Sequence, residues 1–242
     1  MASIMRTDVG KVRRQNEDMA WLNESLGVFA VADGMGGHQA GEVASRLAIE
    51  AVKRMAQRNE QAGITPLREA VLEAHQSILD YAQRHPECAG MGTTLSVLWR
   101  GGNYMYIAHV GDSRIYRLRG RKLEQITQDH SLVEELVRAK LITREEARVH
   151  PRRNIITRAL GTDGENAPDL LAADTRKGDV WLLCTDGLSG MLTDQQIERR
   201  LNGFGLARSA DALLEDALNA GGRDNVTFVI YRDEGGKAWN RG

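Results

Sequence analysis

Short apolar runs that stop on glycine or aspartate do most to narrow the fold of this chain. VFAVA (residues 28–32) runs into Asp33-Gly34, YMYIAHV (104–110) into Gly111-Asp112, and VWLLC (180–184) into Thr185-Asp186-Gly187; Asp224-Asn225 opens VTFVIY (226–231). Runs this short, rich in β-branched and aromatic residues and bounded by turn formers, read as buried strands. RGGN (100–103) separates TLSVLW from YMYIAHV, and GRK (120–122) separates IYRLR from LEQIT, so both read as hairpin turns.

Helical periodicity lies elsewhere. Ala44, Leu47, Ala48, Ala51, Val52 and Met55 keep a 3.6-residue rhythm, and Thr65-Pro66 predicts a second helix with Thr65 as its N-cap. Ser131/Glu134, Thr143/Glu146 and Thr193/Gln196 have capping-box spacing, and residues 209–219 form a last helix stopped by Gly221-Gly222. Two helices early and two late, among hairpin-linked strands, break the alternation of a parallel sheet. The pattern predicts an α+β chain of antiparallel sheets flanked by helices.

Composition closes off several functions. The chain has 242 residues, 42% of them hydrophobic, enough for one large domain without repeats or long linkers. A net charge of −1 argues against a broad nucleic-acid face. No apolar run reaches the roughly 18–20 residues of a membrane span, and the N-terminus lacks the apolar middle of a signal peptide. Two cysteines, Cys88 and Cys184, make no disulfide framework, which fits a cytoplasmic setting.

VADGMGGHQAGEVA (31–44) invites a phosphate-loop reading, which charge rules out. Positions 36–41 match G-x-x-x-x-G, but Glu42 and Val43 stand where Lys and Ser/Thr must follow. Thr94 and Gly190 occupy the places where a thiolate phosphatase would carry its arginine after Cys88 or Cys184, and no histidine opens an H-E-x-x-H motif. The recurrent element is aspartate at strand ends. One such residue is an ordinary turn former; Asp33, Asp112, Asp186 and Asp224 converging at one end of the core would repel one another unless cations neutralised them. Oxygen-only ligands point to Mg²⁺ or Mn²⁺.

RRQNED (13–18), ADGMGGH (32–38), GMGTT (90–94), VGDSR (110–114), DHS (129–131), CTDGL (184–188) and GGRDNVT (221–227) occur in this order. Together they resemble the metal-dependent protein phosphatases of the type 2C (PPM) family, bacterial branch, over nearly the whole chain. The resemblance implies a single domain, residues 1–242, folded as an αββα sandwich of two antiparallel sheets, with a flap at about residues 129–161. It implies hydrolysis of phosphoserine and phosphothreonine in phosphorylated proteins by a water bridging two divalent cations, Mn²⁺ or Mg²⁺, opposing a cognate Ser/Thr kinase. Compact relatives of this kind are stand-alone, some of them serving type VI secretion clusters, and a monomer is expected.

Carried over position by position, Asp33 would bridge two cations, Glu17 and the Gly34 carbonyl would complete one, and Asp186 and Asp224 would hold the other. Asp18 would accept hydrogen bonds from bound water, and Asp112 with Asp186 matches a third, weaker position. Arg13 would contact the substrate phosphate. Animal members place a histidine directly after Asp-Gly; this chain has Met35 there and a histidine at His38. His38 and a metal-bound water are therefore rival donors of the leaving-group proton, and a cap for the next helix is the alternative reading of His38. Most charges of the 129–161 segment read as a solvated helical face, with Arg152 and Arg153 as candidates for holding phosphoproteins. A catalytically inactive relative that binds phosphoproteins is the alternative; intact Glu17, Asp33, Asp186 and Asp224 favour an enzyme.

Overall fold

The computed structural model of the chain describes residues 2–37, 40–164, 166–203 and 205–235. Among the described residues, eleven strands and seven α-helices follow one another as β1 (Ser3–Asp8), β2 (Asp18–Asn23), β3 (Val28–Met35), α1 (Ala40–Arg58), α2 (Ile64–Arg84), β4 (Gly92–Thr93), β5 (Leu95–Gly101), β6 (Tyr104–Val110), β7 (Arg114–Arg119), β8 (Lys122–Gln125), α3 (Leu132–Arg138), α4 (Arg144–Val149), β9 (Asp169–Asp174), β10 (Val180–Cys184), α5 (Asp186–Ser189), α6 (Asp194–Gly203), α7 (Leu206–Asn219) and β11 (Val226–Arg232). One sheet has the order β1-β11-β10-β7-β8, the other β2-β3-β5-β6-β9, with the short β4 paired to β3; every pairing is antiparallel.

Alternation along the central strands explains the continuous apolar runs. Val28, Ala30 and Ala32 of β3 face α1 and α2, while Phe29 and Val31 face the opposite sheet. Likewise Val180, Leu182 and Cys184 of β10 and Phe228 and Ile230 of β11 meet α5, α6 and α7, while Trp181, Leu183, Val229 and Tyr231 fill the space between the sheets. Each strand needs apolar side chains on both faces, and each fully buried Val, Leu or Ile contributes about 1.5–3 kcal/mol. The layers are helices, sheet, sheet, helices, as expected of the αββα sandwich.

Two local expectations need correction. The second helix begins at Ile64 with Gly63 as N-cap and no side-chain cap, so Thr65 is inside the first turn. Proline is tolerated at Pro66 because the first four N–H groups of a helix have no intrahelical acceptor anyway. Asp33 lies within β3, not after it, because the short β4 takes over pairing there, with Gly34 opposite Thr93. Thr143 and Thr193 make both bonds of a capping box, with Glu146 and Gln196. Ser131 accepts from the Glu134 N–H.

Candidate metal centre

The expected carboxylates gather where the ends of the central strands of both sheets meet. Asp18 and Asp33 are register partners across β2 and β3. Glu17 immediately precedes β2, Asp112 follows β6, Asp186 opens α5 after β10, and Asp224 lies just ahead of β11. Asp18 and Asp112 are buried, whereas Glu17, Asp33, Asp186 and Asp224 keep partial exposure. The group therefore has a closed floor and an open mouth.

Electrostatics tie these residues together. Burial holds the Asp33 carboxyl well above the usual range, and Asp18, Asp186, Asp112 and Asp224 add to the effect. Asp112 is raised by burial and then by Asp186. Asp18 is raised by burial, against hydrogen bonds from the Thr185 and Thr227 hydroxyls. Asp186 is pushed up to about 6 by burial and by Asp224, and its hydrogen bond with the Asp33 carboxyl partly offsets this.

The donor set fits hard cations. Glu17 Oε1 and Asp112 Oδ1 are buried without a hydrogen-bond partner, and a buried acceptor left unpaired is costly. Among the described residues, no group of three or more Asp, Glu, His or Cys side chains is placed to hold a metal ion by side chains alone. That is compatible with Mg²⁺ or Mn²⁺, which take carbonyls and keep several waters besides a few carboxylates.

Loop residues place these side chains. Arg13, exposed at the mouth, donates from Nη2 to Asp224 Oδ2 at 2.8 Å. Its pKa is raised by that bond and by the charges of Asp224, Glu17 and Asp33. Glu17 carries a carboxyl raised by burial and lowered by Arg13, and its N–H donates to Asn225 Oδ1 at 2.8 Å. Asn225 Nδ2 in turn donates to the carbonyls of Val9 and Gln15, so one side chain holds the loop that carries Arg13 and Glu17. A Cβ on Gly34 would collide with the Gly41 carbonyl and lie 2.6 Å from that of Glu17; one on Gly41 would lie 2.7 Å from Glu17 Oε1. This pair of glycines lets the first turn of α1 close on β3 beside Glu17. Ser45 Oγ ties the same spot by donating to the Glu17 carbonyl at 2.6 Å.

Asn225, Gly41 and Ser45 were not picked out from the sequence. Only Asn225 had a local signal, as the polar partner of Asp224 at the start of a strand. His38 lies outside the described residues. The 129–161 segment carries α3 and α4, closes on itself through a bridge between Ser131 and Ile156, and joins the body through one between Leu160 and Thr93. Arg152 and Arg153 are exposed on it.

Comparison with known proteins identifies relatives of the chain. Residues 13–221 match the family model described as protein phosphatase 2C. The serine/threonine protein phosphatase PstP of Mycobacterium tuberculosis is 44% identical over 227 residues, 93% of this chain but 43% of that protein, so the chain spans less than half its length. The serine/threonine phosphatase stp of Listeria monocytogenes is 38% identical over 240 residues, 95% of either chain. A crystal structure of the PstP catalytic domain in complex with two manganese ions superposes with a TM-score of 0.88 at 40% identity, covering 95% of this chain and 96% of that one. By its sequence, its sandwich of sheets and its ring of strand-end carboxylates, this chain belongs to the protein phosphatase 2C family.

Proposed function

We propose that this chain is a metal-dependent protein serine/threonine phosphatase acting on phosphoserine and phosphothreonine in phosphorylated proteins. The observation that carries the reading is the strand-end cluster, in which buried carboxylates raise one another's pKa and two buried carboxylate oxygens lack partners. Asp33 would serve two cations, with Glu17 and the Gly34 carbonyl on one side and Asp186 and Asp224 on the other. Asp112 with Asp186 would hold a third cation more weakly. Asp18 stands behind this set, fixed by the Thr185 hydroxyl at 2.9 Å. When bound, such cations supply an acidified water as nucleophile and balance charge on the phosphoryl oxygens; the PstP structure with two manganese ions makes Mn²⁺ the first to try.

The chain's own residues do the rest. Arg13 sits at the open mouth and supplies a fixed cationic fork for phosphate oxygens. The buried floor keeps the carboxylates oriented and excludes bulk water from one side. No cysteine competes as nucleophile: Cys184 is buried and its thiol is pushed up to about 12, first by burial. His38 and a bound water remain the two candidate proton donors. We read residues 1–242 as one domain with 129–161 as a flap, acting as a monomer in the cytoplasm against a Ser/Thr kinase; these parts rest on family likeness. Among the described residues no helix is long and apolar enough to cross a membrane.

Hydrolysis of p-nitrophenyl phosphate with Mn²⁺, with EDTA, and by Asp33→Ala tests the reading. Turnover that needs Mn²⁺ and Asp33 supports it. No metal-dependent turnover in the wild type would sink it and favour a phosphoprotein-binding module.

A further inference from the structure

Two buried hydroxyls link the Asp33 backbone to the Asp112 turn. The Asp33 peptide is held at both ends by consecutive threonines. Its N–H donates to Thr94 Oγ1 at 2.9 Å, and its carbonyl accepts from Thr94 N–H and from Thr93 Oγ1, each at 2.9 Å. Thr94 Oγ1 also lies 2.8 Å from Ser113 Oγ, which belongs to the residue directly after Asp112. Thr93, Thr94 and Ser113 are all fully buried. Having accepted the Asp33 N–H, the Thr94 hydroxyl still has its own proton to give to Ser113. Gly111, at a φ of +107°, brings the turn so close that a Cβ there would lie 2.6 Å from Thr94 Cβ.

Alternative roles for these hydroxyls are few. They have no path to solvent, and neither is presented to the open mouth. A buried hydroxyl pair that served packing alone could be replaced by methyl groups at little cost. Here one partner grips the backbone of the central carboxylate and the other is covalently next to a second carboxylate. A small shift at either end is therefore passed on.

We propose that Thr94 and Ser113 are positioning residues that set the Asp112 turn against Asp33, so that cation binding at Asp112 depends on this hydroxyl pair. The proposal rests on the functional reading above. Groups that orient ligands from behind typically change metal affinity 10- to 100-fold when removed. Ser113→Ala breaks the link while leaving all three bonds between the threonines and the Asp33 peptide. Thr94→Val removes the link and also strands the Asp33 N–H. Thr94→Ser keeps the hydroxyl.

Mn²⁺ titration of the full chain, followed by electron paramagnetic resonance of free Mn²⁺ and by calorimetry, separates tight from weak cations. Ser113→Ala is expected to weaken the weakest class about tenfold and to leave the tight class within about twofold. Thr94→Val is expected to weaken both classes, and Thr94→Ser to bind like wild type. A general loss of packing would not single out one class. Unchanged affinities in Ser113→Ala, Thr94→Ser binding as poorly as Thr94→Val, or a wild type with no weak class would each overturn the proposal. Ser113→Ala decides the question if Thr94→Val does not fold. A wild type that binds no Mn²⁺ at all instead defeats the functional reading itself.

Discussion

Asp18 and Asp33 stand opposite one another on adjacent antiparallel strands, two carboxylates in register beside a hydrophobic core. Like charges directly opposite destabilise a sheet, so this pair is a local loss of stability at the centre of the site. A carboxyl whose pKa is raised on folding costs stability once the pH passes its unfolded value of about 3.9. Asp33→Asn should therefore raise the melting temperature of EDTA-treated protein at pH 7 by about 2–4 °C per kcal/mol relieved. Manganese-dependent hydrolysis should fall by roughly a hundredfold or more. Calorimetry alongside a p-nitrophenyl phosphate assay checks both; a lower melting temperature would mean the opposition carries no strain.

Mn²⁺ should stabilise the wild-type chain by mass action. At a concentration 100-fold above the dissociation constant the gain is about 2.7 kcal/mol per site, or roughly 5–10 °C in a domain of this size. Thermal melts with Mn²⁺ and with excess EDTA measure it. Asp33→Ala should show little of the shift.

Gly34→Ala should be among the most damaging small substitutions. The atoms its Cβ would meet, the Gly41 and Glu17 carbonyls, belong to backbone and cannot swing away. The expected loss is about 3 kcal/mol, read by urea denaturation, together with a weaker response to Mn²⁺. Gly37→Ala is the control, since nothing lies within 4 Å of a Cβ there.

His109 predicts an acid-side loss of stability. Its ring is buried, bonded through Nδ1 to Ser96 Oγ at 2.9 Å and through Nε2 to the Gln128 carbonyl at 3.1 Å. Burial, and then the neighbouring His130, push its pKa down to about 4. The unfolded chain binds a proton near pH 6.5 that the folded chain refuses, so stability falls as pH drops from about 6.5 to about 4. The full cost is about 3 kcal/mol, and His130, also lowered by burial, adds in the same direction. The raised carboxyls of the cluster contribute the opposite slope to wild type and variant alike, so the check is the difference: the stability of wild type relative to His109→Gln, from urea midpoints, should fall as pH drops across that range.

The double substitution Arg152→Ala with Arg153→Ala should raise KM for a phosphoprotein severalfold while leaving p-nitrophenyl phosphate kinetics unchanged. Both arginines are exposed on the 129–161 segment, where they can meet a protein surface but are not part of the carboxylate cluster. Equal kinetics on a phosphoprotein would remove them from substrate binding.

The double-faced strands were legible because burial on both sides leaves an unbroken apolar run, as in β3, β10 and β11. Strands β1, β2 and β9 left no such mark. SIMRTD and DLLAAD are edge strands with several side chains in water, and DMAWLN begins on a carboxylate. The carboxylates Asp33, Asp112, Asp186 and Asp224 were legible as a group because each borders an apolar run in the sequence. Their partners were not. Asn225 reaches Glu17 across 208 positions of sequence, and Thr94 reaches Asp33 across 61. The first bond exists only once the two sheets have met and the second only once β4 and β5 have paired with β3, and no local spacing encodes either.

The carboxylates are drawn from both layers of the sandwich: Asp18 and Asp33 from one sheet, Asp186 and Asp224 from strand ends of the other. Cations held among them would act as rivets between the layers, tying the sheet of Asp18 and Asp33 to the one that supplies Asp186 and Asp224. Prying the sheets apart would mean pulling those rivets, so metal loading should set how long the fold resists mechanical or proteolytic opening as well as whether it catalyses.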